Sequence, residues 1–269
     1  MIFVMFLGFA VLMVIGVPIA FAMGSASLLF MQAKNISLAV AAQKFFSNTQ
    51  SFSFLAVPFF ILAGNLMVES GIAKKLINFA SVLVRQLPGG LGCVSVVTSM
   101  IMAGISGSSV ADASSVGAIL IPEMNDQGYP KSFSAAINAT SSVVGIIIPP
   151  SSTMIVISYI TGLSVAKMFL AGAIPGILIG LAYLAVTIWM ALKNNYPREE
   201  RASKSEIIAA SIDAAWAMLF PVFMLGSIIL GIATPTESAS ICVVYSLLLG
   251  LLVYRSLDMK KILRALKDS

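Results

Sequence analysis

Histidine is absent from this chain of 269 residues, and cysteine occurs only twice, as Cys93 and Cys242, each inside an apolar run. The first absence removes the commonest general base and transition-metal ligand. Two isolated cysteines offer neither a ligand cluster nor a disulfide framework. Charge is scarce too, at 10% of the residues, against roughly 25% in an average soluble domain. With no acid/base pair and no metal-ligand set inside the apolar stretches, the sequence reads as a non-enzyme without a cofactor. The net charge is +5, but the basic residues are scattered through short loops, so no nucleic-acid partner is expected.

Apolar side chains fill the space left by these absences: 59% of the residues are hydrophobic and the mean hydropathy is +1.00. Long apolar runs in a lipid bilayer must pair their own backbone groups, which predicts an all-α polytopic membrane protein. Residues 1–15, 18–33, 52–68, 165–190, 214–231 and 236–254 are the candidate spans. Ala20-Phe21-Ala22 mimics a signal-peptidase site, but no Lys or Arg precedes the apolar run and the run resumes beyond it. Two helices separated by a Gly16-Val17-Pro18 break describe this region better. The stretch 206–216, "EIIAASIDAAW", reads as an amphipathic helix at the inner interface.

Two regions do not fit a simple span. Residues 91–122 are interrupted at 104–109 by "GISGSS", leaving pieces of about 13 residues, each only ~20 Å long and too short to cross. Residues 132–161 are cut by "GIIIPPSS" at 145–152, where Pro149 and Pro150 remove two backbone donors. Charge distinguishes the possible threadings. If 91–122 is a re-entrant hairpin and the N-terminus is outside, Lys74, Lys75, Arg85, Lys131 and the nine basic residues from Lys193 to Lys267 all lie inside. Only Lys34, Lys44 and Lys167 then lie outside, as the positive-inside rule requires. A full crossing over 91–122 would put five of the inner cations outside.

Irregular backbone at membrane depth survives where it is buried in protein or lines a cavity, so both interruptions mark a candidate site. The first hairpin helix is expected to end near Gly104, turning carbonyls toward the tip, and the second to start near Ser108 or Ser109, turning amides toward it. The hydroxyls of Ser106, Ser108 and Ser109 are hard oxygens suited to a small cation. Ser109 followed by Asp112 resembles a capping box, and close helix packing is the plainer reading of the small residues. Asp112, a carboxylate inside an apolar stretch, is read as capping or orienting the tip, with direct ion binding as the alternative. Further along, "TPTES" places Pro235, Thr236 and Glu237 at a second break, where Glu237 either caps its helix or belongs to a site. After the polar loop 193–206, "LGIATPTESASICVVYSLLLG" repeats the look of "IGVPIAFAMGSASLLFM" in the opposite orientation, an inverted-repeat arrangement.

Taken together, "FLAVPFFILAGNLM" (54–67), "PGGLGCVSVVTSMIMAGISGSSVADASSVGAILIPEM" (88–124), "GYPKSFSAAINATSSVVGIIIPPSS" (128–152) and "GIATPTESASICVVYSLLLGL" (231–251) resemble the large membrane subunit of tripartite ATP-independent periplasmic (TRAP) transporters. The resemblance covers essentially the whole chain. It implies an ion-transporter-superfamily, elevator-type fold. The first repeat, 1–192, would hold scaffold helices, an arm helix, a re-entrant hairpin at 89–125 and a broken helix at 130–161. A cytoplasmic linker would occupy 193–206, and 207–269 would begin an inverted repeat left incomplete at Ser269. It also implies uptake of carboxylated anions, of sialic acid or C4-dicarboxylate type, driven by Na+ across the bacterial inner membrane. Its partners would be a periplasmic substrate-binding protein and a small four-helix membrane subunit. The carried-over Na+ site comprises Ser106, Gly107, Ser108, Ser109, Gly145, Ile148 and Pro149, with Asp112, Asn138, Ser141, Ser151 and Ser152 along the substrate pathway. Because the family is longer, the chain is expected to be a fragment or to be completed by a second polypeptide. The alternatives are an inactive half-carrier or scaffold, and, with less support, a channel.

Overall fold

The computed structural model describes residues 2–49 and 54–269; the expected spans 1–15 and 52–68 each begin outside these. The described residues are helical and form two compact units, 1–51 and 52–269. In the first unit, α1 (Ile2–Val14) packs on α2 (Ile19–Ala33), and α3 (Leu38–Thr49) follows. The break between α1 and α2 falls at Gly16 to Pro18, where Gly16 takes a left-handed φ of 89°. At 13 and 15 residues, α1 and α2 are apolar but shorter than a usual span of about 20.

The second unit opens with α4 (Ala56–Glu69) and α5 (Ile72–Val84), which meet at 72°. Gly71 makes this corner at φ 75°, a conformation open to glycine because it lacks Cβ. Next come α6 (Gly90–Ser106), α7 (Ser109–Asp126), α8 (Lys131–Ser142), α9 (Ser152–Thr161), α10 (Val165–Asn194), α11 (Lys204–Ile229), α12 (Pro235–Leu248) and α13 (Met259–Lys267). A 3-10 turn, Val143–Ile146, extends α8, and a π turn, Leu249–Val253, extends α12. By length and composition α10, α11 and Pro235–Val253 are each able to cross a membrane, and the bent pair α4 and α5 counts as a fourth.

Two sequence expectations change. Helix α6 continues two residues past Gly104, so the hairpin arms have 17 and 18 residues instead of about 13. Gly104 lies buried in the last turn of α6, which closes with the Gly107 amide bonded to the Ala103 carbonyl. The stretch 206–216 is not a separate surface helix but the first part of the continuous α11. Ser203 and Glu206 form a reciprocal capping box at its start, and the helix runs on to Ile229 with Pro221 inside it. At the other junction, the cap is Thr234, with Pro235 at the first helical position.

Helices in lipid gain little from the hydrophobic effect between them, so close contact depends on small residues and interhelical hydrogen bonds. Ser99 of α6 meets Ser141 of α8 at 3.1 Å between hydroxyls, and Ser246 of α12 donates to the Ala63 carbonyl of α4 at 3.2 Å. At one end of the unit, Arg85 gathers the 195–203 loop. Its Nε donates to the Glu200 carbonyl and its Nη2 to Glu206 Oε2, both at 3.0 Å. Lys75 pairs with Asp213 and lies 4.5 Å from the centre of the Tyr254 ring.

Candidate functional site

Helices α6 and α7 are joined at Gly107 and Ser108. Gly107 caps α6 with φ 60°, and Ser108 is extended, the geometry of an N-cap. The Ser108 hydroxyl accepts from the Ala111 amide at 3.4 Å, so the cap is Ser108, the earlier of the two expected starts, and no Ser109/Asp112 box forms. This placement frees Asp112 from its own helix terminus. Its Oδ1 accepts a 2.5 Å hydrogen bond from Ser106 Oγ across the tip, while Ser106 Oγ accepts from the Ser108 amide at 3.1 Å. Asp112 is fully buried, and its Oδ2 has no hydrogen-bond partner among the described residues. A buried carboxylate oxygen left unpaired is costly.

The second interruption lies directly against this tip. A Cβ placed on Gly107 would stand 2.6 Å from the Pro150 carbonyl oxygen, and one on Gly145 would stand 2.7 Å from Asp112 Oδ2 and 3.2 Å from the Ser109 amide nitrogen. Both positions therefore need glycine, because a methyl group would occupy the space where backbone and carboxylate approach. The chain leaves α8 through the 3-10 turn, where the amides of Ile147 and Ile148 both bond the Val144 carbonyl, and resumes as α9 at Ser152. Pro149 and Pro150, joined by a cis peptide bond, are buried between them. Ser151 is the extended N-cap of α9, and its buried hydroxyl has no partner among the described residues.

Of the residues expected at the site, Ser106, Gly107, Ser109, Asp112 and Gly145 are thus gathered around one point. Pro149 and Ser151 belong to the strip of backbone opposite. Ile148 packs against Gly176 of α10, with its side chain and its backbone nitrogen and Cα alike. Asn138 is a bridge. Its Nδ2 donates to the Ala113 carbonyl of α7 at 2.9 Å, and its Oδ1 is buried without a partner. Ser141 is engaged with Ser99, and Ser152 is half-buried in the first turn of α9.

Pro235, Thr236 and Glu237 belong to a different construction. Glu237 Oε2 accepts from the Thr234 amide and from its hydroxyl, both at 2.8 Å, completing a capping box, and the side chain is exposed. Conversely, the tip has neighbours that the sequence did not reveal. Gly64 of α4 lies where a Cβ would be 3.1 Å from the Ser106 carbonyl, and Gly104 faces Pro221 of α11. These contacts join residues 42 or more positions apart, and no local pattern announces them.

Residues 6–269 match the family described as Tripartite ATP-independent periplasmic transporter, DctM component. The chain belongs to this family. Among its relatives are protein YgiK of Salmonella typhimurium, 40% identical over all of this chain, and the sialic acid TRAP transporter permease SiaT of Haemophilus influenzae, 37% identical over 96%. The C4-dicarboxylate TRAP transporter large permease DctM of Rhodobacter capsulatus is 36% identical, again over 96% of this chain. The chain spans 62%, 42% and 62% of those proteins, respectively. This DctM-family chain is accordingly a multi-pass membrane protein from a transport family, in keeping with its apolar helices.

Proposed function

We propose that this chain is the membrane permease part of a sodium-coupled, binding-protein-dependent importer of small carboxylated organic anions in the bacterial inner membrane. Its partners on this reading are a periplasmic substrate-binding protein and a small membrane subunit. The family supports a tripartite transport role. The sialic acid and C4-dicarboxylate names of two relatives support an organic anion as cargo.

The observation that carries the ion site is the tip of the α6–α7 hairpin seated on the broken segment 145–151, with Asp112 Oδ2 unpartnered against Gly145. On this reading α6 and α7 are a re-entrant hairpin. Ser106, Gly107, Ser108, Ser109, Gly145, Ile148 and Pro149 then supply hydroxyl and carbonyl oxygens to Na+, oxygen donors that suit a hard cation. Asp112 orients Ser106 and balances the cation's charge. Asn138, Ser141, Ser151 and Ser152 line the anion's path. A cation bound between tip and break would tie the two segments together, which is how ion binding would couple to movement of the hairpin within an elevator-type inverted repeat.

Melting of the purified chain in NaCl and in choline chloride of equal ionic strength tests the ion site. Sodium should raise the melting temperature by the stabilisation RT ln(1 + [Na+]/Kd), and Ser106→Ala should remove most of the rise. Equal melting in the two salts would refute the site. Single cysteines at Lys74 and Lys131 should react with an impermeant reagent from one side of the membrane, and one at Lys167 from the other; opposite accessibility of 74 and 131 would refute the re-entrant threading.

A further inference from the structure

Helix α13 is the most amphipathic of the described helices, and it is only half covered. Ala265 is 1% exposed and packs with Leu66 and Leu257, and Ile262 leans on the same cluster. Asp258 caps the helix, Arg264 reaches Glu69 of α4 at 3.7 Å, and Lys261 Nζ donates to the Ser256 carbonyl. The helix is therefore held on α4 and on the turn after α12 by one side. A second apolar row, Met259, Leu263 and Leu266, is 69%, 58% and 52% exposed. Their spacing of four and three residues aligns them along one outward face.

The charges beside that row identify what covers it. At about 100° per residue, Lys267, Lys260 and Arg264 follow one another along the flank next to Met259 and Leu263. Lys260 and Lys267 have no ion pair among the described residues, and α13 contains four cations and no acidic residue. An apolar row bordered by unpaired cations is complementary to a bilayer surface, where acyl chains lie beside anionic phosphates. We infer that α13 is an interfacial helix: Met259, Leu263 and Leu266 dip into the acyl boundary, and Lys260, Lys267 and Arg264 bind the phosphates of anionic phospholipids. The inference stands apart from the sodium site. It makes α13 a lipid-anchored strut on α4, the helix whose Gly64 abuts the hairpin tip.

Spin-label accessibility tests it. Both native cysteines are fully buried, so one introduced cysteine takes the label. The chain carrying Leu263→Cys, Met259→Cys or Lys260→Cys is reconstituted in phosphatidylcholine vesicles with and without phosphatidylglycerol. Collision with oxygen relative to an aqueous nickel chelate should be several-fold higher at 259 and 263 than at 260. Phosphatidylglycerol should raise the ratio at 263, and adding Lys260→Gln and Lys267→Gln should abolish that rise. The inference fails if neither reagent reaches 263, because another protein segment then covers the row, or if the chelate dominates there, because the row then faces water. It fails also if the double substitution leaves the phosphatidylglycerol effect intact.

Discussion

The hairpin tip and the start of α12 are built from similar residues, yet they are structurally opposite. Each has a glycine in left-handed conformation, Gly107 and Gly231, followed by a hydroxyl N-cap, Ser108 and Thr234, and a carboxylate in the next turn, Asp112 and Glu237. At α12 the carboxylate closes a capping box on its own helix and faces outward. At the tip it is one residue too far along for that box, turns inward to Ser106, and keeps one oxygen unpaired against Gly145. A polar interruption becomes a candidate site only when its polar groups are not consumed locally and another segment is placed against them.

The sharpest test of this contrast is the glycine pair. Gly107→Ala adds left-handed strain and a methyl group 2.6 Å from the Pro150 carbonyl, so it should cost roughly 2–4 kcal/mol, visible as a large fall in melting temperature. Gly231→Ala meets nothing within 4 Å and should cost only about 1 kcal/mol. Similar losses would show that the tip is no tighter than the α12 turn.

The next effect separates the carboxylates by ion response. Asp112→Asn should keep the Ser106 hydrogen bond but abolish sodium-induced stabilisation, whereas Glu237→Gln should leave that stabilisation unchanged and lower the melting temperature only slightly through the weakened cap. Equal sodium responses in the two variants would erase the functional difference. Ser106→Ala should weaken apparent sodium affinity roughly tenfold, the equivalent of losing one good ligand or its positioning, measured by salt titration of the melting temperature. Thr234→Ala should cost about 1 kcal/mol of stability with no shift in sodium affinity.

Both interruptions were legible in the sequence because glycine, proline and serine clusters are conspicuous within apolar runs. Composition marked a membrane protein, and Pro149 with Pro150 marked the end of a helix, since proline lacks the donor a continuing helix needs. Helix ends were less legible. Gly104 reads locally as a breaker, but it is buried against α11, and α6 runs on to Ser106. The run 206–216 reads as a surface helix by its periodicity, but it is one helix with the span that follows, continuing through Pro221 to Ile229.

Local chemistry by itself determined where regular structure is interrupted, which residues are polar in an apolar setting, and how α11 and α12 are capped, because each depends on groups within about four positions. Only the tertiary structure decided which polar groups remain unpaired. Asp112 Oδ2 of α7, Gly145 and Pro150 of the break between α8 and α9, and Gly64 of α4 come to the hairpin tip from three separate segments. Their approach is governed by packing among helices distant in sequence, and no period or spacing within one segment encodes the distance to another.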